Sequence, residues 1–162
     1  MANELPDEVY LELGKLIWRF IYLEDLINSF LNRILPIFKG PIEPLIKNAL
    51  ESLEMYETEQ NIHATIDWLK AAQELLYVRN SIMHGVPGDV IPDLESLPTQ
   101  ENSWRPVIDH LHPRLGKFTR IEMSRNFLSE VEREVSDICG KWRETYLAFD
   151  KSWIYLMKKL NE

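Results

Sequence analysis

The residues whose types and spacing fit a reaction stand together in Leu76-Tyr77-Val78-Arg79-Asn80-Ser81-Ile82-Met83-His84-Gly85. On a helix, Asn80 and His84 lie one turn apart on one face. Arg79 lies five residues before His84, about 140° around the helix and roughly 7.5 Å along its axis. Its long side chain can reach back toward the same surface. Arginine offers a permanent, forked cation that matches phosphate oxygens. Histidine is the side chain best able to trade a proton near neutral pH. The negative end of a helix favours its imidazolium. Asn80 can orient either group through hydrogen bonds. These are the parts needed to cleave RNA without a metal. A base takes the 2′-hydroxyl proton, a cation steadies the phosphorane, and an acid protonates the leaving 5′-oxygen.

Plainer readings stand beside this one. Arg79 fits an ion pair with Glu74 or with a loop acid, and His84 fits a last-turn residue bonding terminal carbonyls. Other chemistries have no counterpart in the chain. It has no glycine-rich phosphate loop, no paired metal-ligand motif on a helix, and no serine framed as a nucleophile elbow. His110-Leu111-His112 would place two imidazoles on one face of a strand, but no third ligand is near in sequence, so no metal site is expected.

The elements that must position the motif are helical. From Pro6 to about Leu35, Leu13, Ile17, Phe20, Ile27, Leu31 and Ile34 keep helical steps. Pro6 suits a first turn, Asp7 and Glu8 complement the dipole, and Pro36 with Gly40-Pro41 ends the run. Glu24 interrupts the stripe between Phe20 and Ile27. A buried carboxylate needs a partner, and Arg79 is the candidate across the helical hairpin. The other reading lets the stripe edge outward at Glu24. A shorter helix is predicted over Pro44–Met55 and a third from about Glu59 to His84. In the third, Ile62, Ile66, Leu69, Ala72, Leu76 and Met83 form the stripe and Arg79 falls in its gap. Gly85 and Pro87 supply the stop. Val86 to Ser103 reads as a loop, with Pro87, Gly88, Pro92 and Pro98 and four acids. Within 104–123, Val107-Ile108 and Phe118-Thr119-Arg120-Ile121 are compatible with a small hairpin around Pro113-Arg114-Leu115-Gly116. From Ser124 the helical period returns through Leu128, Val131, Val135, Ile138, Trp142, Tyr146, Phe149, Trp153 and Leu156. So long a helix suggests a bend near Gly140 or a break near Asp150. The expected fold is all-α. It is an antiparallel helical bundle with a long N-terminal helix, a motif helix ending at His84 and a long C-terminal helix, in one domain over 1–162.

The Arg79-Asn80-x-x-x-His84 run resembles the R-x4–6-H motif of the HEPN superfamily, with the polar residue that usually follows the arginine. The likeness extends to the setting. The motif ends a long helix, follows an N-terminal helix with a Phe20-x3-Glu24 pattern, and precedes an amphipathic C-terminal helix. The resemblance implies a helical bundle whose homodimer brings two motifs into one metal-independent ribonuclease cleft. Arg79, Asn80 and His84 would be its catalytic residues, with no cofactor. Many members of that superfamily are toxins or serve in phage defence, which implies an antitoxin or regulatory protein as partner. Others are silent scaffolds, so the alternative is a catalytically silent interaction module binding a protein or nucleotide.

The 162 residues allow one domain with a sizeable core, and five Trp, six Tyr and six Phe supply bulk for it. A net charge of −8 argues against a general nucleic-acid coat. Within 103–125, however, Arg105, Arg114, Lys117, Arg120 and Arg125 outnumber Asp109 and Glu122. Arg105, Arg114, Lys117 and Arg120 are the candidates for holding an RNA backbone. The competing reading is a solvated loop paired with nearby acids. Cys139 alone supports neither a disulfide framework nor a cysteine zinc site, and reads as a small core residue. Residues 1–8 have no signal-peptide pattern, and no stretch approaches the roughly 18 apolar residues of a membrane span. A cytoplasmic protein with no membrane partner is expected.

Overall fold

The computed structural model describes residues 7–37, 39–84, 86–87, 107–112, 117–122 and 125–162, with side chains over 7–37, 39–83 and 126–162. Among the described residues four helices carry the fold: α1 Asp7–Ile34, α2 Ile42–Glu54, α3 Gln60–His84 and α4 Arg125–Leu160. A small sheet of β1 Val86–Pro87, β2 Val107–His112 and β3 Lys117–Glu122 lies between α3 and α4 in sequence. The fold is an all-α helical bundle with this sheet as an appendage. Among the described residues, no helix is long and apolar enough to cross a membrane.

The chain forms two compact units from interleaved segments, one of residues 1–18 and 76–133, the other of 19–75 and 134–162. The second holds most of the core. Phe30 of α1 sits among Trp68 of α3 and Tyr146 and Phe149 of α4, with ring centroids 5.1, 5.3 and 5.4 Å away. Three indoles satisfy their N–H groups on helix carbonyls, as buried tryptophans must. Trp68 donates to Ile138 O, Trp142 to Leu26 O and Trp153 to Arg33 O. Their order fixes directions. Leu26 meets Trp142 and Arg33 meets Trp153, so α1 and α4 run the same way. Trp68 meets Ile138 and Asn61 meets Ser152, so α3 runs opposite to α4.

The connections follow from local chemistry. Gly40 has φ 113, in the left-handed region that favours glycine, and ends the passage from α1 to α2. Helix α2 then buries Leu45, Ile46, Ala49 and Leu53. Glu59 starts α3. Its Oε2 accepts from Ile62 N at 2.8 Å, and its Oε1 accepts from Ser152 Oγ, which itself accepts from Asn61 Nδ2. The cap thus satisfies a first-turn N–H and ties α3 to α4.

The other unit contains the start of α1, the end of α3, the sheet and the start of α4, with Leu16, Leu76, Ser81, Leu128 and Val131 buried. The hairpin takes the register Val107↔Glu122 through His112↔Lys117. The loop expected from Val86 loses its first two residues to β1, which pairs Val86↔Asp109 and Pro87↔Ile108 at the sheet edge. Proline has no N–H for an inner ladder, so an edge is where a strand tolerates it. Helix α4 has no break at Asp150 and is assigned as one helix through Gly140. Buried Phe149 and Trp153 flank Asp150, whose carboxylate accepts from Arg33 Nε and Nη2 and so holds that turn in place.

Candidate functional site

The motif occupies the last turns of α3. Leu75 and Leu76 are buried just before it, and beyond them Tyr77, Val78, Arg79, Asn80 and Ile82 are half-buried. The face therefore turns from sealed core to partly open surface where the polar residues begin. Arg79 donates twice to one acceptor. Its Nε and Nη2 both bond Asn80 Oδ1, at 3.2 and 2.9 Å. An amide oxygen gripping two guanidinium N–H groups fixes the plane of the fork and curls Arg79 toward the face of its neighbour. Asn80 is thus an orienting group for Arg79.

His84 is the final residue of α3, one turn after Asn80. Its side chain lies outside the described residues, as does Gly85. Tyr77 was not singled out in the sequence, although its spacing offers a signal. It precedes His84 by seven residues, two turns on the same helix face as Asn80. Ser81 beside it is buried, and its hydroxyl donates to Tyr77 O at 2.9 Å. That bond satisfies the hydroxyl on the helix itself.

Glu24 is half-buried on α1 and belongs to the unit that does not hold Arg79. Arg105 and Arg114 lie outside the described residues. Lys117 and Arg120 are both on β3, three positions apart. Register puts Lys117 across from His112, and Arg120 across from Asp109. His110 and His112 stand two positions apart on β2. Among the described residues, no cluster of His, Cys, Asp and Glu is arranged to hold a metal ion. Cys139 is half-buried on α4, and burial pushes its thiol pKa up while Arg19 pulls it down.

No protein-family model, curated protein or solved structure matches this chain.

Proposed function

We propose that the protein is a HEPN-like, metal-independent endoribonuclease of toxin or phage-defence type. The observation that carries this reading is the Arg79 fork held by Asn80 in the last turns of α3, with His84 one turn further on. Arg79 clamps the scissile phosphate and the charge that builds on it. One His84 removes the 2′-hydroxyl proton, and the 2′-oxygen attacks phosphorus. A second His84 protonates the departing 5′-oxygen. A single motif supplies one imidazole, so two copies of the chain meet to provide both acid and base. The products are a 2′,3′-cyclic phosphate and a 5′-hydroxyl.

The test is incubation of purified protein with total RNA in excess chelator. Cleavage is expected, with cyclic phosphate ends, and a substrate carrying 2′-deoxy at the cut position should resist. Chelator-sensitive cutting or cutting of the deoxy substrate would overturn the mechanism. The second reading is a silent interaction module at the same place. The net charge of −8 favours it, since it opposes a phosphate backbone. Absence of cleavage under any condition would select it.

A further inference from the structure

Helix α1 is apolar on two opposite sides. Leu16, Phe20, Leu23, Ile27, Phe30 and Ile34 line the buried side. Tyr10, Leu11, Ile17, Trp18, Ile21 and Tyr22 recur at helical steps on the side roughly 180° away, and all six are exposed, Trp18 at 74%. Gly14 sits in the middle of this stripe, and an added Cβ there would meet nothing within 4 Å. Glycine in a helix interior weakens the helix relative to alanine. Among the described residues nothing asks for it, whereas close approach of another backbone would.

We propose that the stripe from Tyr10 to Tyr22 is the face on which a second copy of this chain docks, antiparallel, with the two α1 helices crossing at Gly14. The inference deepens the function proposed above by naming the surface that joins the copies. Only its consequence for RNA cleavage rests on that reading. Area supports a stable partner. The six side chains leave on the order of 700 Å² open, near the roughly 800 Å² that each partner gives to a standard interface. A lone chain would hold a patch at or above the upper end of what monomers commonly expose.

Charge supports a second copy in this direction. One edge of the stripe carries Glu8, Glu12, Lys15 and Arg19 in that order, two acids and then two bases. A two-fold axis through Gly14 and perpendicular to the helix lays the same edges side by side in opposite directions. Lys15 then stands beside Glu12 of the partner subunit, and Arg19 beside Glu8 of the partner subunit. A parallel pairing separates these edges. The Lys15–Glu12 pair within the helix is 3.5 Å long, with Lys15 exposed and Glu12 half-buried.

Sedimentation of the full chain over a range of concentrations should give the mass of two protomers. Trp18→Glu and Gly14→Gln change exposed positions and should keep the helical far-UV spectrum. Trp18→Glu is expected to raise the dissociation constant on the order of thirtyfold or more, as loss of a central aromatic anchor does. Gly14→Gln should weaken the pair by blocking close approach. Arg19→Glu should weaken it as well, and Arg19→Glu with Glu8→Lys should recover it. A wild-type monomer at every concentration overturns the proposal, and so do folded Trp18→Glu and Gly14→Gln proteins that stay dimeric. RNA cleavage is measured in parallel. A dimer that parts on Trp18→Glu but never cuts RNA keeps this interface and removes the ribonuclease. Wild-type monomers that cut RNA do the reverse.

Discussion

A guanidinium gripped by the next residue's amide is a specific arrangement, and its contribution to rate is separable from charge. Asn80→Ala removes the acceptor of two Arg79 N–H bonds and leaves the cation in place. Hydrogen bonds to charged groups contribute about 1.5–3 kcal/mol, so turnover should fall roughly ten- to a hundredfold with KM little changed. A loss confined to KM would show that the fork serves binding and not the transition state. His84→Ala should reduce cleavage by about 10²–10⁴-fold, the usual worth of general acid–base assistance, while the far-UV spectrum stays unchanged. Full activity in that variant removes the mechanism. Arg79→Ala should lose a comparable factor. Glu24→Gln probes the carboxylate that interrupts the α1 stripe. If Glu24 pairs with Arg79, the neutral amide should lower the urea midpoint or the rate, and a protein indifferent in both denies the pairing.

Helices were the most legible level, because their boundaries are written in residues with a local mechanism. Pro36, Gly40 and Pro41 separate α1 from α2, and Glu59 opens α3 by capping Ile62. The hairpin's β-prone runs were visible too, while its register and the edge strand at Val86 depend on pairing that local composition does not encode. Faces were harder to read. On α1, periodicity selected Leu13 and Ile17, yet Leu16, Leu23 and Phe30 are buried and Ile17 lies on the exposed side. The helix is apolar on two sides, and a period of 3.6 cannot say which side meets the core. Met83 continued the α3 stripe in sequence but is exposed, whereas Ser81 two residues before it is buried. At the candidate site, the residue types and the Asn80–His84 turn were legible, whereas the double bond from Arg79 to Asn80 depends on a side-chain rotamer. Helix α4 gives an element-scale test. Gly140 is exposed in its interior and an added Cβ meets nothing within 4 Å, so Gly140→Ala should stabilise by about 0.5–1 kcal/mol through helix propensity alone. Trp68→Phe should act oppositely, by about 1 kcal/mol, through loss of the bond to Ile138 O. Both are read as shifts of the denaturation midpoint.

The scale of the whole molecule is where acid and base have to meet. One chain brings one His84, and the proposed reaction asks an imidazole on each side of the phosphate. If both come from a dimer, a chain lacking its histidine should spoil the chain it pairs with. Mixing wild type with an equal amount of His84→Ala protein, after exchange of subunits, leaves about half of the wild-type chains paired with each other, and a fourfold excess leaves about a fifth, by random association across a two-fold. Cleavage should fall in the same proportions although the wild-type concentration is constant. A chain that acts alone would show no loss, and a dimer in which each motif works independently would show none either. The control is the variant proposed to weaken docking. His84→Ala carrying Trp18→Glu pairs poorly and should no longer poison the wild type. Inhibition that persists in the doubly substituted protein would then come from competition for RNA. Raising the salt separates that cause further, because competition for a phosphate backbone weakens steeply with salt, while pairing through an apolar stripe loses only its flanking surface ion pairs, each worth little.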